Sequence, residues 1–175
     1  FMRIASKRVW IADQFIPAVI EMENGIIQNV LPYDENIIDQ NYGNLRIVPG
    51  FIDMHCHGAF GFDTNDAHKE GLRTWTKNIP NEGVTAFLAT TITQSDDVLL
   101  KACENVAAVL EEGYEGAELL GVHMEGPFLA QAFKGAQPEQ YIVSPSVEQF
   151  KKFQEAAKGN IRYMTLATEN DKDYA

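Results

Sequence analysis

An α/β fold built on a parallel sheet is what this sequence predicts, and three observations carry that expectation. From about residue 46 onward, apolar strand-like runs alternate with segments of helical spacing, the rhythm of βα units. Turn and cap residues fall between those segments, at Gly83, Ser95, Gly113 and Ser144-Pro145. Ahead of them the pattern differs. Residues 3–31 alternate and turn like a small sheet of their own.

Taken in order, Ile4 to Ile11, Ala18 to Met22 and Ile26 to Leu31 read as strands, with Asn24-Gly25 as a hairpin signal between the last two. A polar stretch runs from Pro32 to Asn44. Arg46 to Cys56 then reads as one buried strand that delivers His55, His57 and Gly58 at its end. His68 to Asn81 is predicted helical, broken late by Pro80 and closed by Gly83. Val84 to Thr91 is a continuous apolar strand. Ser95 is positioned to cap a second helix in which Val98, Leu99, Ala102, Val106, Val109 and Leu110 keep helical spacing. Asp96 and Asp97 favour its positive end, and Gly113 ends it. Glu118 to Glu125 is the next strand, Ser144-Pro145 opens a helix to about Lys158, and Ile161 to Ala167 is a further strand.

Counted from Arg46, four strands are separated by three helices. That is about half of an eight-stranded barrel, whose usual size is ~250 residues. The expectation is a partial (β/α)8 TIM-type barrel, its first half, over residues 46–175, with residues 1–45 as a separate set of strands. The chain thus reads as incomplete at Ala175, while Met2 reads as a native start preceded by one extra residue.

The 175 residues fit a domain of ordinary size, and 45% of them are apolar, enough for a real core. Twenty-five acidic against 14 basic residues leave a net charge of −11. That balance argues against nucleic acid or an anionic membrane surface as a partner, though not against a small anion held locally. Cys56 and Cys103 are too few for a disulfide framework and suit a reducing cytoplasm. No apolar run approaches the ~20 residues of a membrane span.

The most informative stretch is Pro49-Gly50-Phe51-Ile52-Asp53-Met54-His55-Cys56-His57-Gly58. Successive side chains of a strand point to opposite faces, so Asp53, His55 and His57 share one face and Cys56 takes the other. Two imidazoles side by side at a strand's end offer a divalent metal two nitrogen ligands already oriented by the backbone. The alternative is a pair of packing histidines that happen to alternate. A second constellation, Gly121-Val122-His123-Met124-Glu125-Gly126-Pro127-Phe128, ends a later strand. Parity puts His123 and Glu125 on one face, at the carboxyl end where parallel α/β folds bind ligands. Glu125 reads as a metal ligand, against a capping carboxylate. His123 reads either as a satisfied core histidine or as a residue holding Glu125 or a ligand in place.

With these motifs the chain resembles the amidohydrolase superfamily, and within it the N-acetylglucosamine-6-phosphate deacetylases. The likeness includes Gly61-Phe62-Asp63-Thr64-Asn65-Asp66, the run from Glu82 to Thr91, Lys134-Gly135-Ala136-Gln137-Pro138 and Thr165-Leu166-Ala167-Thr168-Glu169. The first histidine motif fits many amidohydrolases; its combination with His123-x-Glu125-Gly-Pro-Phe and Lys-Gly-Ala-x-Pro is more specific. The resemblance implies a (β/α)8 barrel with a small β-sandwich to which the N-terminal strands belong. It implies one or two divalent ions, zinc foremost with Fe2+ or others as options, held by Glu125, His55 and His57. Ala136 and Gln137 match the family's contact with the sugar phosphate, and His123 and Asp53 stand behind the ligands. Gln137 takes the place of the family's usual histidine, and Thr168 that of its usual proline.

What the resemblance implies as activity is metal-assisted removal of the acetyl group from N-acetylglucosamine 6-phosphate, giving glucosamine 6-phosphate and acetate. The family's general base and two further metal histidines are expected beyond Ala175, so the chain alone is expected to be inactive. His68 is expected in the first helix, exposed to water. Two other readings stay open: a different amidohydrolase, dihydroorotase-like or acting on another sugar amide, and a non-catalytic half-barrel that binds or assembles. Unpaired strand edges on a half-barrel predict self-association, hence a homo-oligomer, or partial order.

Overall fold

A computed structural model describes residues 1–173 of the chain. Two compact units meet at the Pro49–Gly50 link. The first is a sheet of five strands. Strands β1 (Met2–Ile11), β2 (Gln14–Glu23) and β3 (Ile26–Pro32) pair antiparallel, and two short strands, β4 (Gln40–Asn41) and β5 (Arg46–Ile47), lie parallel to β1. Asn24 and Gly25 both adopt positive φ in the β2–β3 turn, as the hairpin signal requires. Val9, Ala18 and Ile20 form a small core with Ile4, Ile11, Met22 and Ile47 packed against it. Glu21 is buried in this sheet, where Arg3 Nε donates to it at 2.6 Å and Asn29 Nδ2 at 2.8 Å. The Asn29 hydrogen bond, then Arg3, hold its carboxyl below the ordinary value.

The second unit is α/β. Strands β6 (Phe51–Cys56), β9 (Val84–Thr91), β10 (Glu118–Glu125) and β11 (Ile161–Thr165) form a parallel sheet in which each strand pairs beside its predecessor. Between β6 and β9 lie the hairpin β7 (Gly58–Ala59) and β8 (Phe62–Asp63) and the helix α1 (Lys69–Asn78). The helices α2 (Asp96–Glu112) and α3 (Val147–Ala156) fill the later crossovers. Leu72 and Trp75 from α1, Leu99, Cys103, Val106 and Val109 from α2, and Phe153 from α3 pack on Phe87, Ala89, Leu119, Val122 and Met124 of the strands. This covered face alternates with a second face that carries His55, His123 and Glu125. Among the described residues no helix is long and apolar enough to cross a membrane.

The structure corrects several expectations in detail. The single buried strand from Arg46 to Cys56 is two strands on different sheets, interrupted at Val48-Pro49-Gly50, where Pro49 has no N–H for a ladder. Nor is its second part buried: Phe51, Ile52 and Met54 are 67%, 64% and 50% exposed. The reason is position, since β6 ends the sheet order and has β9 as its one paired neighbour among the described residues. His68 sits one residue ahead of α1 and caps it, its Nδ1 accepting the Gly71 N–H at 3.1 Å. The segment after Asn78 tightens to a 3-10 turn, Ile79–Glu82, closed by Gly83. Ser95 occupies the cap position of α2 without a side-chain cap bond. Helix α3 starts at Val147, with Ser146 rather than Ser144 as its cap, the Ser146 hydroxyl accepting the Gln149 N–H.

Candidate metal centre

Parity on two strands brings the predicted donors together. His55 leaves β6 and His57 follows its last residue, with their Nε2 atoms 3.3 Å apart. Cys56, between them, packs instead against the helix-covered core. Glu125 is the last residue of β10, and its Oε2 lies 3.4 Å from His55 Nε2 and 3.1 Å from His57 Nε2. The strands β6 and β10 are not neighbours. They are separated by β9, so the meeting occurs across the top of the sheet.

A hydrogen bond sets the tautomer of His57. His57 Nδ1 lies 3.3 Å from the Thr90 carbonyl, to which only an N–H can donate, and this leaves Nε2 as a bare lone pair when the ring is neutral. A bare imidazole nitrogen and a carboxylate oxygen 3.1 Å apart are two acceptors facing each other, which requires a proton or a cation between them. The donor triangle has edges of 3.1, 3.3 and 3.4 Å. Ligand bonds of ~2.0–2.1 Å in a tetrahedral site imply donor–donor edges of roughly 3.3 Å. The residues present therefore fit a zinc-sized cation. His55, His57 and Glu125 are the three that could hold one, each with a ligand atom within 4.8 Å of the others.

Around them the backbone is lashed in place. Thr64 donates its N–H and its hydroxyl to the His57 carbonyl, at 2.8 and 2.9 Å. Asn65 bridges Ile92 with both ends of its amide. Gly126 follows Glu125 at φ +82°, and a Cβ there would stand 2.0 Å from Thr93 Oγ1, so the turn admits glycine alone. Asp53 accepts the His55 backbone N–H at 3.0 Å and so braces the strand through its main chain.

His123 is 1% exposed and engaged at both nitrogens. Nδ1 donates to the Met54 carbonyl at 2.8 Å, and Nε2 accepts from the Thr165 hydroxyl at 2.8 Å. Burial holds its pKa below the ordinary imidazole value, against the Met54 hydrogen bond. It offers a cation no lone pair, and its ring packs edge-on against His55 with centroids 4.7 Å apart. Gln137 is buried and reaches Glu125, whereas Ala136 is exposed on the same turn. An apolar concavity lined by Phe128, Phe150, Met164 and Leu166 shares no residue with the donors. Thr64, Thr90, Thr93 and Thr165, which hold these groups, were not singled out by sequence. Thr90 pairs beside His123 and Thr165 beside Glu125 in the sheet, but threonine is too common in strands to stand out.

Residues 46–171 match the family model described as "Amidohydrolase family". The chain belongs to the amidohydrolase family. Among curated proteins, this amidohydrolase chain is 43% identical over 146 residues to the N-acetylglucosamine-6-phosphate deacetylase of Bacillus subtilis (strain 168). That match covers 82% of the chain and 36% of the relative, so the chain spans about a third of that relative's length. Among solved structures, the N-acetylglucosamine-6-phosphate deacetylase of Pasteurella multocida superposes with a TM-score of 0.80 at 28% identity, over 97% of this chain and 46% of that one. The Mycobacterium smegmatis enzyme of the same name gives a TM-score of 0.86 at 24% identity, over 97% and 48%, and speaks to the fold alone.

Proposed function

We propose that this amidohydrolase chain supplies the cation-holding part of an N-acetylglucosamine-6-phosphate deacetylase. The observation that carries the reading is the donor triangle of His55, His57 and Glu125, whose edges suit a single zinc-sized ion. The names of the Bacillus and Pasteurella relatives support the substrate, an N-acetylated amino-sugar phosphate. In this reading residues 46–175 are the first half of a (β/α)8 barrel, and residues 1–45 belong to a small β-sandwich. The inferred setting is cytoplasmic, with self-association covering the exposed strand β6.

A bound Zn2+ would polarise the acetamide carbonyl and bring a water's pKa down toward ~7. The chain's own residues prepare that site. The Thr90 carbonyl holds the proton of a neutral His57 at Nδ1 and leaves Nε2 to face the cation, His123 and Asp53 hold His55 from the ring side and the backbone side, and Glu125 closes the triangle. Exposed Ala136 is assigned to the approach of the sugar phosphate, with Gln137 buried behind it on the same turn. The general base is assigned to the part of the relatives' length that this chain does not span.

Two measurements test the proposal. Metal analysis of the purified chain should find zinc that is lost in His55→Ala and His57→Ala. Acetate release from N-acetylglucosamine 6-phosphate should be seen with a protein of the relatives' full length carrying this sequence, and not with the 175-residue chain. Cleavage of dihydroorotate with no acetate release would replace the deacetylase by another amidohydrolase.

A further inference from the structure

Gln137 is 7% exposed, and its side-chain amide has a partner at each end. The Thr93 backbone N–H lies 2.8 Å from Oε1, and an N–H can only donate, so the amide oxygen must face Thr93. The nitrogen end is thereby turned to Glu125, donating to Oε2 at 2.9 Å. That is the same oxygen that faces both imidazoles. Thr93 also grips the main chain of Glu125, its hydroxyl donating to the Glu125 carbonyl at 3.5 Å. Gln137 is itself anchored by its turn: its N–H donates to the Lys134 carbonyl, and the Lys134 ammonium donates to the Gln137 carbonyl, each at 3.1 Å.

We propose that Gln137 is a positioning residue whose amide, keyed by the Thr93 N–H, aims Glu125 Oε2 at the space between His55 and His57. The inference rests on the cation reading above and deepens it. A carboxylate oxygen has two lone pairs. With one taken by the Gln137 N–H, the other is left directed to the imidazoles. Contact with a substrate at this turn then falls to Ala136 and the backbone, because the Gln137 amide is engaged inward. Glutamine suits the task because it both accepts from Thr93 and donates to Glu125 while staying neutral at every pH.

The test compares Gln137→Leu, which keeps volume and removes both hydrogen bonds, with Gln137→His, which can restore an acceptor and a donor. Zinc affinity is read by competition with a chromogenic chelator, and ligand geometry by the visible spectrum of the Co2+ form. Removing an outer partner of a ligand typically weakens metal binding ~10–100-fold, and a loss of that size with altered Co2+ bands is expected for Gln137→Leu, recovered in Gln137→His. Wild-type zinc affinity and an unchanged Co2+ spectrum in folded Gln137→Leu overturn the proposal. A second readout needs neither metal nor a stable Gln137 variant. In the wild-type chain, one proton of the Gln137 side-chain NH2 should be shifted downfield and slow to exchange by NMR, and Glu125→Ala should abolish both effects. Absence of that dependence overturns the clamp. If the wild-type chain takes up no zinc, the cation reading fails, and this NMR result alone decides Gln137.

Discussion

Glu21 and Glu125 are both held by a side-chain amide, yet the two sheets finish them differently. In the antiparallel unit Asn29 donates to one oxygen of Glu21 and the Arg3 guanidinium takes the other, with its Nε and Nη2 at 2.6 and 2.5 Å. Guanidinium is a permanent cation, so that carboxylate is compensated and the arrangement is closed. In the parallel unit Gln137 donates to Glu125, but the facing groups are imidazoles that can be neutral. Among the described residues, the hydrogen-bond and ion-pair partners of Glu125 include no permanent cation. The same acid and the same kind of amide therefore give a structural lock in one unit and a donor triangle with no built-in cation in the other. What separates them is whether the fold supplies its own cation.

The comparison can be broken most forcefully at the carboxylates themselves. Glu125→Ala is expected to weaken zinc uptake by more than the ~10–100-fold that outer partners cause, whereas Glu21→Ala should leave uptake unchanged. Equal losses in chelator competition would show that the two carboxylates are not different in kind. The neighbouring glycines give the next effect. Gly25, in the turn beside Asn29, has φ +77° and open space where a Cβ would go, so Gly25→Ala is expected to lower unfolding free energy by about 1–2 kcal/mol. Gly126→Ala meets the same backbone strain and the Thr93 hydroxyl as well, and should be the more damaging of the two in denaturant titration. The smallest effect is in acid. The Glu21 carboxyl is held below its ordinary 4.5, so the stability it contributes is complete above that pH and is lost as pH falls through the lower folded value. Amide exchange in β1 and β2 should accelerate over that window, and Arg3→Met should flatten the dependence.

Much of the second unit was legible because its information is local and periodic. Strand parity put His55, His57 and Glu125 on one face, and the order of the parallel strands brought their ends together. Helix caps were legible to within a few residues, as at α3, whose cap is Ser146 rather than Ser144. The exposure of β6 was not, since an apolar run carries no record of whether it ends a sheet. Nor was the role of Gln137 visible. Its contact with Glu125 depends on the fold of the turn from Lys134 and on the Thr93 N–H, 44 residues away in sequence. His123 shows the same limit: its two open readings were separated only by its bonds to Met54 and Thr165, which lie on two other strands.

The place of β6 at the end of its sheet has a consequence for how the molecule holds together. One edge of that strand relies on β9, and the His123 ring ties its Met54 carbonyl to β10 and, through Thr165, to β11. If His55, His57 and Glu125 close on one cation, that ion is also a fastener between the outermost strand and the middle of the sheet. Occupancy at a hundredfold excess over Kd would then add ~2.7 kcal/mol against unfolding. Stripped of its ion, the protein would fray first where the two histidines leave the sheet, so a chemical centre would double as the clasp of an otherwise loose border.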